Sequence, residues 1–264
     1  MPNRTLSWIL LIVAVFAVAP VLFAQTAGTA KAAPDLSGVW ERRGMGAGPA
    51  PGILADGAPG NGFTTQEPAM LPWAADYYKK VRNGPIRNPY DKALDQFDTT
   101  LRCFPPGPTR LYTVPRPFEI RQLADQVFLL FESDHSVRRI YTDGRGHPDG
   151  YPITWMGHSI GKWDGDTLVV DTVNINDKGW IDSMGHPHSD ALRIVERFHR
   201  LDRETLEIEF LFDDPKTYSK PWTGKKRFKL QPANYDIMEQ VLCEEWLEIG
   251  KKKQPGVWAG SEIY

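Results

Sequence analysis

Between Arg138 and Glu196 the chain concentrates the side chains that carry chemistry at neutral pH. All six histidines, from His135 to His199, fall in or beside this stretch, interleaved with Asp143, Arg145, Asp166, Asp171, Glu196 and Arg197. Imidazole changes charge near neutrality, so a histidine beside a carboxylate can accept and return protons. A guanidinium holds an acidic group in a planar fork. Strand surfaces do not need this mixture, and it points to a site that binds or transforms a small molecule.

Three motifs carry most of that reading. In DGRGHP (143–148), Asp143, Arg145 and His147 share one polar turn. It is either a ligand loop, with Arg145 taking an acidic group, or a hairpin turn in which Asp143 caps the backbone and Arg145 makes an internal ion pair. In GHSIG (157–161), two glycines flank His158 and Ser159 and let the backbone approach something closely. His158 is the candidate general acid/base, oriented by Asp143 or Asp171; otherwise it is a satisfied structural histidine. A serine-hydrolase triad is disfavoured, because adjacent residues of a strand point to opposite faces and no Gly-x-Ser-x-Gly elbow is present.

In GHPHSD (185–190), His186 and His188 have the spacing of a β-sheet metal site, completed by His158 or His147. Pro187 argues instead for a loop, and no metal is favoured. GKWDGDTLVVDT (161–172) reads as a hairpin turning at Asp164-Gly165, with Trp163 offering an aromatic face to a ligand. Along Leu192–Leu201 the face Leu192, Ile194, Glu196, Phe198 is apolar except for the glutamate. If that face points inward, Glu196 is a carboxylate inside the protein, too costly to leave unpaired. Arg145, Arg138 or a bound ligand is the expected partner. Glu196 is then a second acid/base or an arginine's counter-ion, and Arg138, Arg145, Arg197 and His188 are the ligand-binding set.

The elements that must position these groups are almost all strands. Period-2 segments recur at 37–43, 118–123, 126–132, 137–142, 159–163, 167–173, 192–201, 205–212, 225–230 and 237–246, with short turns between most of them. This pattern predicts an antiparallel β-barrel, with a β-sandwich as the alternative, and a meander of sequential neighbours. WTGKKRFK reads as a charged edge or outer face. The single helix candidate runs from Pro72 to Arg82, with proline at its first position and Lys79, Lys80 and Arg82 in its last turn. Residues 44–62 hold seven Gly and three Pro in nineteen positions and are expected to be a flexible insertion.

At 264 residues the chain suits one core-bearing domain, and nine Trp, nine Tyr and twelve Phe suit barrel interiors and apolar pockets. A net charge of −2 carries no nucleic-acid footprint. Arg4 followed by the apolar run Trp8–Ala24 and small residues reads as a signal peptide over 1–30, with an uncleaved anchor as the alternative. The expected protein is therefore exported, periplasmic or secreted, with residues 31–264 as its domain and no membrane span after processing. In such a compartment Cys103 and Cys243, the only cysteines, are expected to form a bridge.

Two resemblances bear on this picture. LSGVW on a first strand, followed by many antiparallel strands, resembles the lipocalin/calycin pattern, although here an insertion and a helix follow the first strand. Over roughly residues 66–246 the ordered blocks CFPPGPTR, RRIYTDGRGHP, GHSIGKWDGDTLVVDT and HSDALRIVERFHR resemble a functionally unassigned family of exported bacterial proteins. That resemblance implies an exported, single-domain, lipocalin-like protein and assigns no catalytic roles. Three functions follow from the residues. One is a cofactor-independent isomerase, hydratase/lyase or hydrolase using His158, Asp143 and Glu196. The others are a non-catalytic binder of a small, partly apolar molecule, and a metalloprotein on His186 and His188. All three suppose that the sheet gathers these groups into one hollow.

Overall fold

Strand pairing follows the alternation of apolar side chains closely, and its one exception shapes the site. The structure is a computed structural model that describes residues 33–42, 60–83 and 98–238. The strands are β1 (Gly38–Arg42), β2 (Phe118–Gln122), β3 (Gln126–Phe131), β4 (Val137–Tyr141) and β5 (His158–Asp164). They continue as β6 (Thr167–Val173), β7 (Arg193–Arg200), β8 (Thr205–Asp213) and β9 (Trp222–Leu230). Each pairs with its neighbours in sequence, and β9 returns to β1, closing a barrel. The one helix, α1, spans Pro72–Asn83.

Closure overturns the edge reading of WTGKKRFK. β9 pairs with β8 along its length and with β1 at Phe228–Leu230, so it closes the barrel and is not an edge strand. Its inner face carries Trp222, Lys226 and Phe228, all buried. Lys226 donates to the Gly60 carbonyl at 3.3 Å, with its ammonium 5.5 Å from the Phe63 ring centre. The expected hairpin turn is displaced by one residue. Asp164 pairs with Thr167, so Gly165 and Asp166 make the turn and Gly165 takes the positive φ of 63°. That places glycine first of the two central residues.

All pairings are antiparallel except β4 with β5, which are parallel through Ile140 with Ser159 and Tyr141 with Ile160. The sheet is therefore mixed, and not the wholly antiparallel meander of the sequence reading. A parallel neighbour needs a connection that turns back, which residues 142–157 supply.

The interior is aromatic. Trp40, Tyr112, Phe118, Phe131, Phe210 and Phe228 are buried in one cluster. Tyr112 comes from a 3₁₀ turn, Arg110–Thr113, and meets Phe118 and Phe131 nearly edge-on. The segment from Gly60 to α1 lies against β8 and β9. Phe63 packs its ring, tilted, against Phe210 and Phe212, and the Leu71 and Ser219 amides donate to the Thr217 and Ala69 carbonyls. Gly60 and Gly62 of the 44–62 insertion are buried, and residues 43–59 lie outside the described residues. So do residues 1–30, where a signal peptide is expected, Cys243 and most of the expected strand 237–246. Among the described residues no helix is long and apolar enough to cross a membrane.

Candidate functional site

Strand alternation sorts the candidate residues. On β4 to β7 the inward positions include Arg138, Ser159, Thr172 and Glu196; their neighbours Tyr141, His158, Asp171 and Arg193 face outward. The 142–157 connection folds over this outer face. There His147 Nδ1 lies 2.8 Å from His158 Nδ1, and His147 Nε2 faces Asp171 Oδ2 at 3.6 Å. That second distance is too long for a direct hydrogen bond, and Nε2 is buried with no hydrogen-bond partner. Asp171 is itself gripped by both arms of Arg193, at 2.8 Å each.

Rings frame the pair. Tyr141 stacks on His158 at 5.4 Å and Tyr151 lies 4.6 Å away, while the Arg145 guanidinium sits 4.0 Å above Tyr141. Arg145 is also bonded to Asp143, which holds the Asp143 carboxyl below its ordinary range. Asp143 is thus a partner of Arg145, and Asp171 is the carboxylate behind the histidine pair. Burial first, then repulsion by His147 and Arg145, holds His158 below the ordinary imidazole value of 6.5. His158 is neutral near pH 7.

The glycines of GHSIG behave as their pattern suggests. Gly157 has a φ of 66°, and a Cβ there would stand 2.5 Å from the Val173 carbonyl oxygen. Gly161 faces inward against Ile140, where a Cβ would approach to 2.9 Å.

The other predicted residues lie elsewhere. Inside the barrel Glu196 takes both Arg138 amino groups, one at 2.8 Å, the other shorter. Arg138 also donates to Thr172 at 2.8 Å, to Tyr112 at 3.2 Å and to Ser159 at 3.3 Å. Every arm of the guanidinium is used, which is what a fully buried ion pair requires. The attraction of Glu196 outweighs burial and raises Arg138 further; burial and Glu196 raise the Tyr112 hydroxyl well above 10.

His186 sits in a different polar cluster, between Asp182 (Nδ1–Oδ2, 2.7 Å) and Glu67 (Nε2–Oε2, 2.9 Å). Tyr78 of α1 stacks on its ring at 4.5 Å and donates to Glu67 at 3.0 Å. Burial pulls His186 down, but Asp182 and Glu67 together outweigh it and push it up to about 9. Both ring nitrogens are engaged with carboxylates, so His186 has none left for an ion. His188 is buried with Nδ1 at the Ser189 carbonyl, 3.2 Å away, and burial lowers it.

His158 is not joined to His186 or His188, and among the described residues no three His, Cys, Asp or Glu side chains are grouped to hold a metal. Arg197 pairs with Asp164 on the outside at 3.2 Å, and Trp163 packs against the core. The expected single hollow is therefore replaced by three places: an interior ion pair, the His147–His158–Asp171 row, and the Asp182–His186–Glu67 row.

The sequence reading missed Tyr151, Tyr141, Asp182 and Glu67. Glu67 and His186 are 119 positions apart, and no spacing rule joins them. Asp182 precedes His186 by four within irregular chain, where a helical spacing has no meaning. No known family model matches the chain, and no curated protein is significantly similar to it.

Proposed function

We propose that this β-barrel protein is an exported, lipocalin-like protein that takes a small, partly apolar molecule with an acidic group at the outer face of β4–β6. There His158 transfers a proton in a cofactor-independent reaction. The observation that carries the reading is the row Asp171–His147–His158, with its 3.6 and 2.8 Å spacings. The carboxylate of Asp171 favours the His147 tautomer with its proton on Nε2. His147 Nδ1 then accepts the Nδ1–H of His158, leaving His158 Nε2 as the free lone pair. A neutral imidazole with an open nitrogen is a general base near pH 7. The tyrosine rings supply apolar surface, and Arg145 supplies positive charge for an acidic group or for charge that develops during reaction.

One observation favours a binding protein without turnover: His158 is only 4% exposed, covered by its neighbours. In that version the same ring is a contact surface. The deciding experiment is mass spectrometry of small molecules that co-purify with the chain, repeated on His158→Gln. Loss of turnover of the retained compound, with an unchanged circular dichroism spectrum, supports catalysis. Weaker retention of a compound that neither protein transforms supports binding. Equal retention and equal turnover in both proteins would overturn the site.

A further inference from the structure

We infer that His147 Nδ1 and His158 Nδ1 together form a binding site for one divalent first-row transition ion of the copper(II) or zinc(II) class. Ring nitrogens bind such ions at about 2.0–2.1 Å, so two nitrogens on one ion stand roughly 3 Å apart. The two Nδ1 atoms converge to 2.8 Å from different parts of the chain, β5 and the connection over it. To take the place of the shared proton the ion must sit off the line between the two nitrogens, so each ring turns until its Nδ1 lone pair points at the ion.

A second feature points the same way. Metal-bound imidazoles turn their other ring nitrogen toward a carboxylate, which fixes the tautomer and strengthens the ligand. His147 Nε2 is buried, lacks a hydrogen bond and faces Asp171 at 3.6 Å. Asp171 in turn is locked by Arg193.

Starting from two neutral rings, binding needs no net loss of protons: the proton on His158 Nδ1 moves to its Nε2, and His147 keeps one on Nε2. Among the described residues no third His, Cys, Asp or Glu completes a metal-holding group, so the other coordination positions fall to water or an incoming molecule. The ion would tie the connection to β5. It goes beyond the proposed proton transfer and excludes it while bound, because the ion takes both Nδ1 atoms and moves the His158 proton onto Nε2, the nitrogen that must stay free to act as base.

The test uses the full chain without a polyhistidine tag, titrated with copper(II) and with zinc(II). Expected are one ion per chain, a rise in thermal midpoint, and a copper(II) electron paramagnetic resonance spectrum with coupling to two imidazole nitrogens. His147→Ala and His158→Ala should each lower affinity at least about tenfold, and Asp171→Asn by about 10–100-fold. His199→Ala, a surface change, should leave it intact. Coupling to fewer than two nitrogens in the unmodified chain, or full affinity in both histidine variants, would overturn the site. The unmodified chain suffices for the spectroscopic arm if a variant does not fold. Proton transfer is tested separately by turnover with a chelator present, so either idea can fail alone.

Discussion

Two histidines of one chain, His158 and His186, sit in opposite electrostatic settings, each set by the partners within reach. His158 meets a second imidazole and a guanidinium, both of which oppose its charge. Its NMR titration midpoint should therefore lie below 6.5, and His147→Ala should move it upward by removing one opposing group. A midpoint unchanged by that substitution would contradict the pairing. His186 meets two carboxylates, which hold its charge in place. Its folded value of about 9 exceeds the ordinary 6.5, so its stabilisation is complete below that lower value and is lost as pH rises through about 9. The gap corresponds to about 3 kcal/mol at this buried position. His158 acts with the opposite sign: its folded value is depressed, so stability from this group is present above 6.5 and falls as pH drops through the folded value. Urea denaturation between acid and mildly alkaline pH should show both limbs. His186→Gln should remove the alkaline limb and cost about 3–5 kcal/mol, because Asp182 then remains buried without its cation.

Between elements, two features depend on how strands meet. The buried Arg138–Glu196 pair links β4 to β7 across the interior, and Tyr112 brings a 3₁₀ turn to the same guanidinium. Arg138→Ala should destabilise by about 3–5 kcal/mol, whereas Arg138→Met with Glu196→Leu should cost less than either single change. Chemical denaturation of the single and double variants measures this directly. The parallel contact of β4 with β5 is the second feature. It rests on Ile140 with Ser159 and Tyr141 with Ile160, whereas β7 and β8 pair from Arg193–Asp213 to Arg200–Leu206. Local opening follows the weakest ladder. Amide hydrogen exchange should be fastest at the β4–β5 seam and slowest in β7 and β8, and the reverse order would show that the seam is not the weak point. That seam borders the histidine pair.

For the whole molecule, much was legible because strand alternation is a local rule. The period-2 pattern identified nine strands within a residue or a few of their bounds, the helix from Pro72, and the inward face Leu206, Ile208, Phe210, Phe212. It also placed Glu196 inside and named Arg138 among its partners, since a buried carboxylate demands a cation. Local rules do not report which strand lies beside which. The charged run in β9 resembled an edge, yet closure put Lys226 inside, because a barrel has no edges to leave solvated. The return of the chain between β4 and β5 was equally invisible, and with it the meeting of His147, His158 and Asp171. What the sequence by itself determined is therefore the inventory: strands, faces, and the kinds of chemistry that the side chains can do. Only the tertiary structure decided which of those side chains meet, because barrel closure and one parallel pairing join residues whose separation along the chain carries no signal.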